Sequence, residues 1–199
     1  KRQLDRLNTK CIVSERIKRA AYVLENKENL AKADILDGFN RHLRLTNNKL
    51  LYPPRMQRNG EMGYVILNFD IDEDGLKNFT DFYFSGLNTD KLKFSAKLST
   101  KILVIAPNKR LSWQYHHRRS EIWNVVSGDI KVVTSHDDEE RNEVLLKKGE
   151  EINISQGERH RIIGTDNYAV VAEIWIHTDK NNPSNEDDII RLQDDYSRD

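Results

Sequence analysis

Cysteine is nearly missing from this sequence, and a membrane-spanning run is missing altogether. Cys11 stands alone among 199 residues, which excludes an internal disulfide framework and fits a reducing compartment, the cytoplasm. No apolar stretch approaches the ~20 residues that cross a bilayer, so no membrane partner is expected. Net charge is missing too: Lys+Arg and Asp+Glu both number 32. No field therefore draws nucleic acid or anionic lipid, and a small-molecule ligand is the expected partner. Proline occurs four times, twice in the pair Pro53–Pro54, where it breaks helix and pushes the preceding residue to extended geometry. What is present is a 37% apolar fraction, enough for a real core, and a 32% charged fraction that implies a solvated surface. The first residue is Lys1, which leaves room for a trimmed leader.

Two textures divide the chain into a helical N-terminal extension over 1–60 and a strand-rich unit over 61–199. Ser14 is placed to cap a helix in which Ile17, Ala20, Ala21 and Leu24 recur at i, i+3, i+4, i+7. A weaker helix starts near Asp34, with Ile35, Phe39 and His42 on one stripe. After Gly60 the pattern changes to short β-rich runs: YVILNF, KILVIA, EIWNVVSG, IKVVTS, EVLL, EINI, HRII and YAVVAEIWI. Turn signals separate them, so an antiparallel sandwich or barrel is expected. Asp70, Asp72, Asp74 and Gly75 match half of a calcium loop, but Lys77 stands where an aliphatic residue belongs. A solvated hairpin turn is the expected form of that segment.

Within LSWQYHHRRSE (Leu111 to Glu121), alternation places Gln114 and His116 on one face and Tyr115 and His117 on the other. Glu121, Trp123 and Val125 share a face of the next strand. His160 opens a later strand after a Gly-centred turn. Gln114, His116, Glu121 and His160 are thus the candidate metal ligands. Two imidazoles, a carboxylate and an amide oxygen suit a borderline divalent ion, zinc first, with Mn, Fe, Co or Ni also compatible. A metal-free barrel whose polar residues satisfy one another is the alternative.

Gln114-x-His116-x4-Glu121-x6-Gly128 resembles the first cupin motif, and Gly149-x7-Gly157-x2-His160 the second, with twenty residues between Gly128 and Gly149. Asn108, Ser155 and Gly164 depart from the motifs at turn positions, where Gly, Pro and Asn are usual. RLSWQYHHRRSEIWNVVSG, GERHRI and the tail EDDIIRLQDDYSRD are similar to the motifs of type II phosphomannose isomerases, with Arg118 and Ser197 as departures. The resemblance covers about Pro107 to Arg198. It implies a mainly β cupin double-stranded β-helix, or jelly-roll barrel, behind the helical extension. It also implies metal-dependent aldose–ketose isomerisation of a sugar phosphate, mannose 6-phosphate to fructose 6-phosphate leading. The Gly-rich nucleotidyltransferase signature of bifunctional members is absent from this sequence, so guanylyl transfer is not expected here.

Glu173 and His177 share parity with Trp175 and become proton-transfer candidates if that face points inward. Arg191, matching the arginine of the family's tail, is the expected phosphate anchor and counts with Glu173 and His177 as catalytic. Arg110 and Lys109 are further phosphate candidates. Trp123 and Trp175 are read as core, and His42 and His136 as surface residues. The rival readings are a non-catalytic sugar-binding or regulatory cupin, a nucleotide-sugar epimerase and a metal-dependent oxygenase. The extension has two surfaces to pack on, the barrel or the second copy in a homodimer.

Overall fold

The computed structural model describes residues 49–50, 64–70, 73–84, 87 and 99–196. Among the described residues, eleven strands form two antiparallel sheets: β1 (Lys49–Leu50), β2 (Tyr64–Asp70), β3 (Thr100–Ile105), β4 (Trp113–Tyr115), β5 (Arg119–Ser127), β6 (Ile130–Ser135), β7 (Val144–Leu146), β8 (Glu151–Ile154), β9 (Arg159–Gly164), β10 (Ala169–His177) and β11 (Ile190–Gln193). The first sheet runs β1-β2-β3-β10-β5-β8 and the second β11-β4-β9-β6-β7. Consecutive strands repeatedly cross from one sheet to the other, which is the jelly-roll cupin arrangement. The core is where the two inner faces meet. Leu103, Ile105, Trp123, Val125, Ala169 and Val171 come from one sheet and Ile130, Val132 and Ile162 from the other. Their two-residue spacing is the alternation seen in the sequence.

A helix, α1 (Glu73–Tyr83), interrupts the strands. It corrects the expectation of a hairpin turn at this place. Leu76, Phe79, Thr80 and Tyr83 are buried at i, i+3, i+4, i+7, the stripe of an amphipathic helix. Lys77 and Asp81 pair at 2.8 Å on its exposed side. Aspartates at 70, 72 and 74 masked that stripe by suggesting a turn. The helix packs toward the outer side of the first sheet, where the Asn124 amide donates to the Tyr83 carbonyl.

The helical extension lies outside the described residues apart from Lys49–Leu50, which pair with Asp70 and Phe69 as a strand. The boundary between 60 and 61 also lies outside them. Strand β11 forms in a tail that is polar and acidic in sequence, and it pairs with β4 through Ile190 and Tyr115. Of the departures at turns, Asn108 takes a positive φ of 56°, the left-handed conformation that glycine would accept and asparagine tolerates. Gly128 is required where it stands, because its φ is +67° and an added Cβ would lie 2.4 Å from the Tyr168 carbonyl oxygen.

Candidate metal centre

The site is built from both sheets. Gln114 on β4 stands directly opposite His160 on β9, so both side chains leave the same face of the second sheet. Just past β4 the chain brings in His116, and β5 supplies Glu121 from the first sheet. His116, Glu121 and His160 are all buried, with ligand atoms within 4.8 Å of one another. His116 Nε2 lies 3.2 Å from Glu121 Oε1 and His160 Nε2 lies 3.6 Å from Glu121 Oε2. The Gln114 amide nitrogen sits 3.5 Å from His116 Nε2 and 3.4 Å from His160 Nε2, while the Ser112 hydroxyl donates to Gln114 Oε1 at 2.5 Å. Rotating that amide by a half-turn presents its oxygen to the imidazoles instead. His117 is exposed and meets Tyr115 edge-on at 5.2 Å, on the outer face as its parity requires.

Both imidazoles are held for ligation. His116 Nδ1 lies 2.6 Å from the Asp188 carbonyl oxygen and His160 Nδ1 lies 2.9 Å from that of Glu158. A carbonyl only accepts, so Nδ1 carries the proton in each ring and the Nε2 lone pairs face the interior. Burial pushes the His160 pKa down to about 4, against the pull of Glu121, and this keeps the ring neutral. Burial alone would raise the Glu121 carboxyl, but His116, Arg119 and His160 together hold it well below the usual carboxylate range. Two imidazole nitrogens, a carboxylate and an adjacent amide are a donor set that fits a divalent cation.

Arg119, which the sequence offers only as one of several cations near the motifs that together could hold a phosphate, is in the structure part of the cluster itself. Its Nε donates to Glu121 Oε1 at 2.7 Å, its Nη2 is 3.0 Å from His116 Nε2, and its guanidinium stacks 3.5 Å over the Trp175 ring. The signal was available: Arg119 precedes Glu121 by two residues on one strand and therefore shares its face. A cation entering the cluster has to displace the Arg119 bond to His116. Sequence reasoning missed Lys101. It is buried, lies 3.9 Å over Trp175 and pairs with Glu186 at 2.9 Å. Trp123 and Trp175 are both buried in the core as expected, and the Trp175 ring in addition underlies the two cations.

Glu173 and His177 do face inward and are buried. Glu173 accepts from Trp175 Nε1 at 2.6 Å, and burial raises its carboxyl to about 7, with Glu121 adding to the rise. His177 Nδ1 accepts the Ser184 amide at 2.9 Å, which places it under the C-terminal segment. Arg191 stands opposite Gln114 in the β11–β4 register and so shares the face of the metal donors. Arg110 and Lys109 are not brought to the cluster. Arg110 bridges to Ile163, three residues along β9 from His160 or ~10 Å, and its guanidinium is committed to Asp195 at 2.6 and 3.0 Å.

With this geometry in hand, comparison with known proteins gives a family. Residues 72–194 match the family described as mannose-6-phosphate isomerase C-terminal. The chain belongs to that family. Among relatives, xanthan biosynthesis protein XanB of Xanthomonas campestris is 29% identical over 109 residues, 55% of this chain and 22% of its own length. Alginate biosynthesis protein AlgA of Pseudomonas aeruginosa is 31% identical over 132 residues, 65% of this chain and 26% of its own. Mannose-1-phosphate guanylyltransferase of Escherichia coli is 30% identical over 109 residues, 55% and 21%. The chain thus matches about a quarter or less of each relative's length. These relatives are named for guanylyl transfer and polysaccharide synthesis, and this overturns the expectation of a sugar-phosphate isomerase. Guanylyl transfer is in the name of the last of these three relatives, and xanthan and alginate biosynthesis are in the names of the other two. No helix among the described residues is long and apolar enough to cross a membrane.

Proposed function

We propose that this barrel is a metal-dependent binding module for a mannose phosphate, serving nucleotide-sugar synthesis by holding the sugar rather than by converting it. The observation that carries the reading is the His116–Glu121–His160 cluster with Arg191 in register with Gln114 and so on the same face of the sheet. A bound dication, zinc in the first instance and Mn, Fe, Co or Ni as alternatives, supplies Lewis acidity for a sugar oxygen. Arg191 grips the phosphate through parallel hydrogen bonds, and Trp175 closes the floor beneath Arg119. The lone cysteine supports a cytoplasmic setting.

Elemental analysis of the purified chain, followed by calorimetric titration with mannose 1-phosphate, mannose 6-phosphate and free mannose, tests the reading. One metal per chain is expected, with both phosphates binding more tightly than mannose. Arg191→Ala should weaken the phosphates by roughly ten- to a hundredfold, as for a lost charged hydrogen bond, and leave metal content and free mannose unchanged. Equal affinity for phosphorylated and free sugar would sink the proposal.

A further inference from the structure

Several of the polar contacts to the first metal-ligating histidine and to the main chain just after it come from one residue that lies seventy-two positions later in the chain. Asp188 is 4% exposed, although it belongs to a segment with the composition of a solvated tail. Its carboxylate accepts the backbone N–H of His117 at 3.0 Å and of Arg118 at 3.0 Å. The Ser184 hydroxyl adds a third bond at 2.6 Å, and Arg118 Nε lies 3.7 Å away. The Asp188 carbonyl faces the opposite way, toward His116 Nδ1 at 2.6 Å and Arg119 Nη1 at 3.4 Å. One residue therefore holds the main chain just after His116, the His116 ring and the arginine that binds Glu121.

We propose that Asp188 is a positioning residue for the metal centre: its carboxylate fixes its own backbone against 117–118, so that its carbonyl fixes the tautomer and plane of His116. The inference rests on the metal-binding reading above but not on any sugar. A free imidazole samples both neutral tautomers, and only the one protonated at Nδ1 offers Nε2 to a cation in this cluster. Outer groups that orient a ligand in this way typically change metal affinity by ~10- to 100-fold. His160 gives an internal control, because its Nδ1 is held by Glu158, two residues away on its own turn, with no help from the C-terminal segment.

The test uses the full chain, zinc and manganese as probes, and long-range proton–nitrogen spectra that report each imidazole's tautomer in the metal-free protein. Wild type should show both rings protonated at Nδ1. Asp188→Asn, of equal size but unable to accept both backbone bonds at once, should raise the Kd for either metal by roughly ten- to a hundredfold. The tautomers of His116 should become mixed while those of His160 stay fixed. Ser184→Ala, which removes a single bond to the carboxylate, should shift the same readouts in the same direction by less, and it decides the matter if Asp188→Asn fails to fold. Unchanged metal affinity with a fixed His116 tautomer overturns the proposal, and so does equal loosening of both rings, which a mere brace would give. If wild type held neither metal, the metal reading would fall and the tautomer spectra would still decide whether Asp188 positions His116.

Discussion

The two histidines of the metal cluster are the same donor held by opposite means. His160 sits at the start of β9, on a turn that is complete in itself. Gly157 takes a positive φ of 75°, Glu158 Oε2 accepts the Ser155 amide at 2.7 Å, and the Glu158 carbonyl holds the ring. His116 has no such turn, and its Nδ1 partner lies in the C-terminal segment. The two halves touch where the Gly157 amide donates to the His116 carbonyl at 2.9 Å. One ligand is therefore oriented by local sequence and the other by tertiary closure. The second arrangement ties the site to the docking of residues 182–193.

The largest expected effect comes from removing the donors themselves. His116→Ala and His160→Ala should each strip most of the bound metal, because each deletes one of the two imidazole nitrogens. His117→Ala should not, because that ring lies on the outer face against Tyr115. Metal content by elemental analysis after dialysis checks this. Full retention in all three variants would mean that the cation sits elsewhere.

Much of this asymmetry explains what could be read from the sequence. Strands β5, β6 and β9 show in it because alternation is local, β10 because it is a β-rich run buried on both faces, and Gln114, His116, Glu121 and His160 emerge from spacing and parity. Helix α1 was hidden because the aspartates at 70, 72 and 74 carry a turn signal, while the burial of Leu76, Phe79 and Tyr83 is settled only by what lies beneath them. Asp188 was hidden for a stronger reason. Its partners are backbone amides seventy positions away, and nothing in EDDII distinguishes the aspartate that is buried from its exposed neighbour Asp187. Arg119 lies between these cases: its parity with Glu121 was legible, but its stacking on Trp175 was not.

A second expected effect concerns the interior charges, in the metal-free protein. Burial lifts the Glu173 carboxyl from 4.5 to about 7, so its contribution to stability is fully present below 4.5 and is lost as pH rises through about 7. That loss amounts to about 3 kcal/mol at most. Burial lowers His160 from 6.5 to about 4, so its contribution is present above 6.5 and is lost as pH falls through about 4. Between these values the two slopes oppose each other, and wild type should be nearly flat. Glu173→Gln removes one slope, so the variant should gain on wild type at pH 8 and lose stability steadily on acidification below 6.5. Urea unfolding at pH 5 and pH 8 measures this. A stability difference between variant and wild type that is equal at both pH values would contradict the burial account.

The smallest expected effect is the counterpart of the Asp188 variants. Glu158→Ala removes a side chain from the turn that holds His160 and leaves the backbone carbonyl that does the holding. The carboxylate has one bond within this turn, to the Ser155 amide, and such a bond at a largely solvated position contributes about 0.5–1.5 kcal/mol. The turn has other supports: the Glu158 amide donates to the Ser155 carbonyl at 3.0 Å and the Gly157 amide reaches His116, while the left-handed φ is satisfied by glycine. Stability should therefore fall by no more than about 1 kcal/mol in urea unfolding. Zinc affinity should change by less than about threefold, short of the ~10- to 100-fold range of groups that orient a ligand. A tenfold loss of zinc affinity in Glu158→Ala would show that His160 also depends on a side chain for its aim, and the contrast between a locally held and a remotely held ligand would collapse.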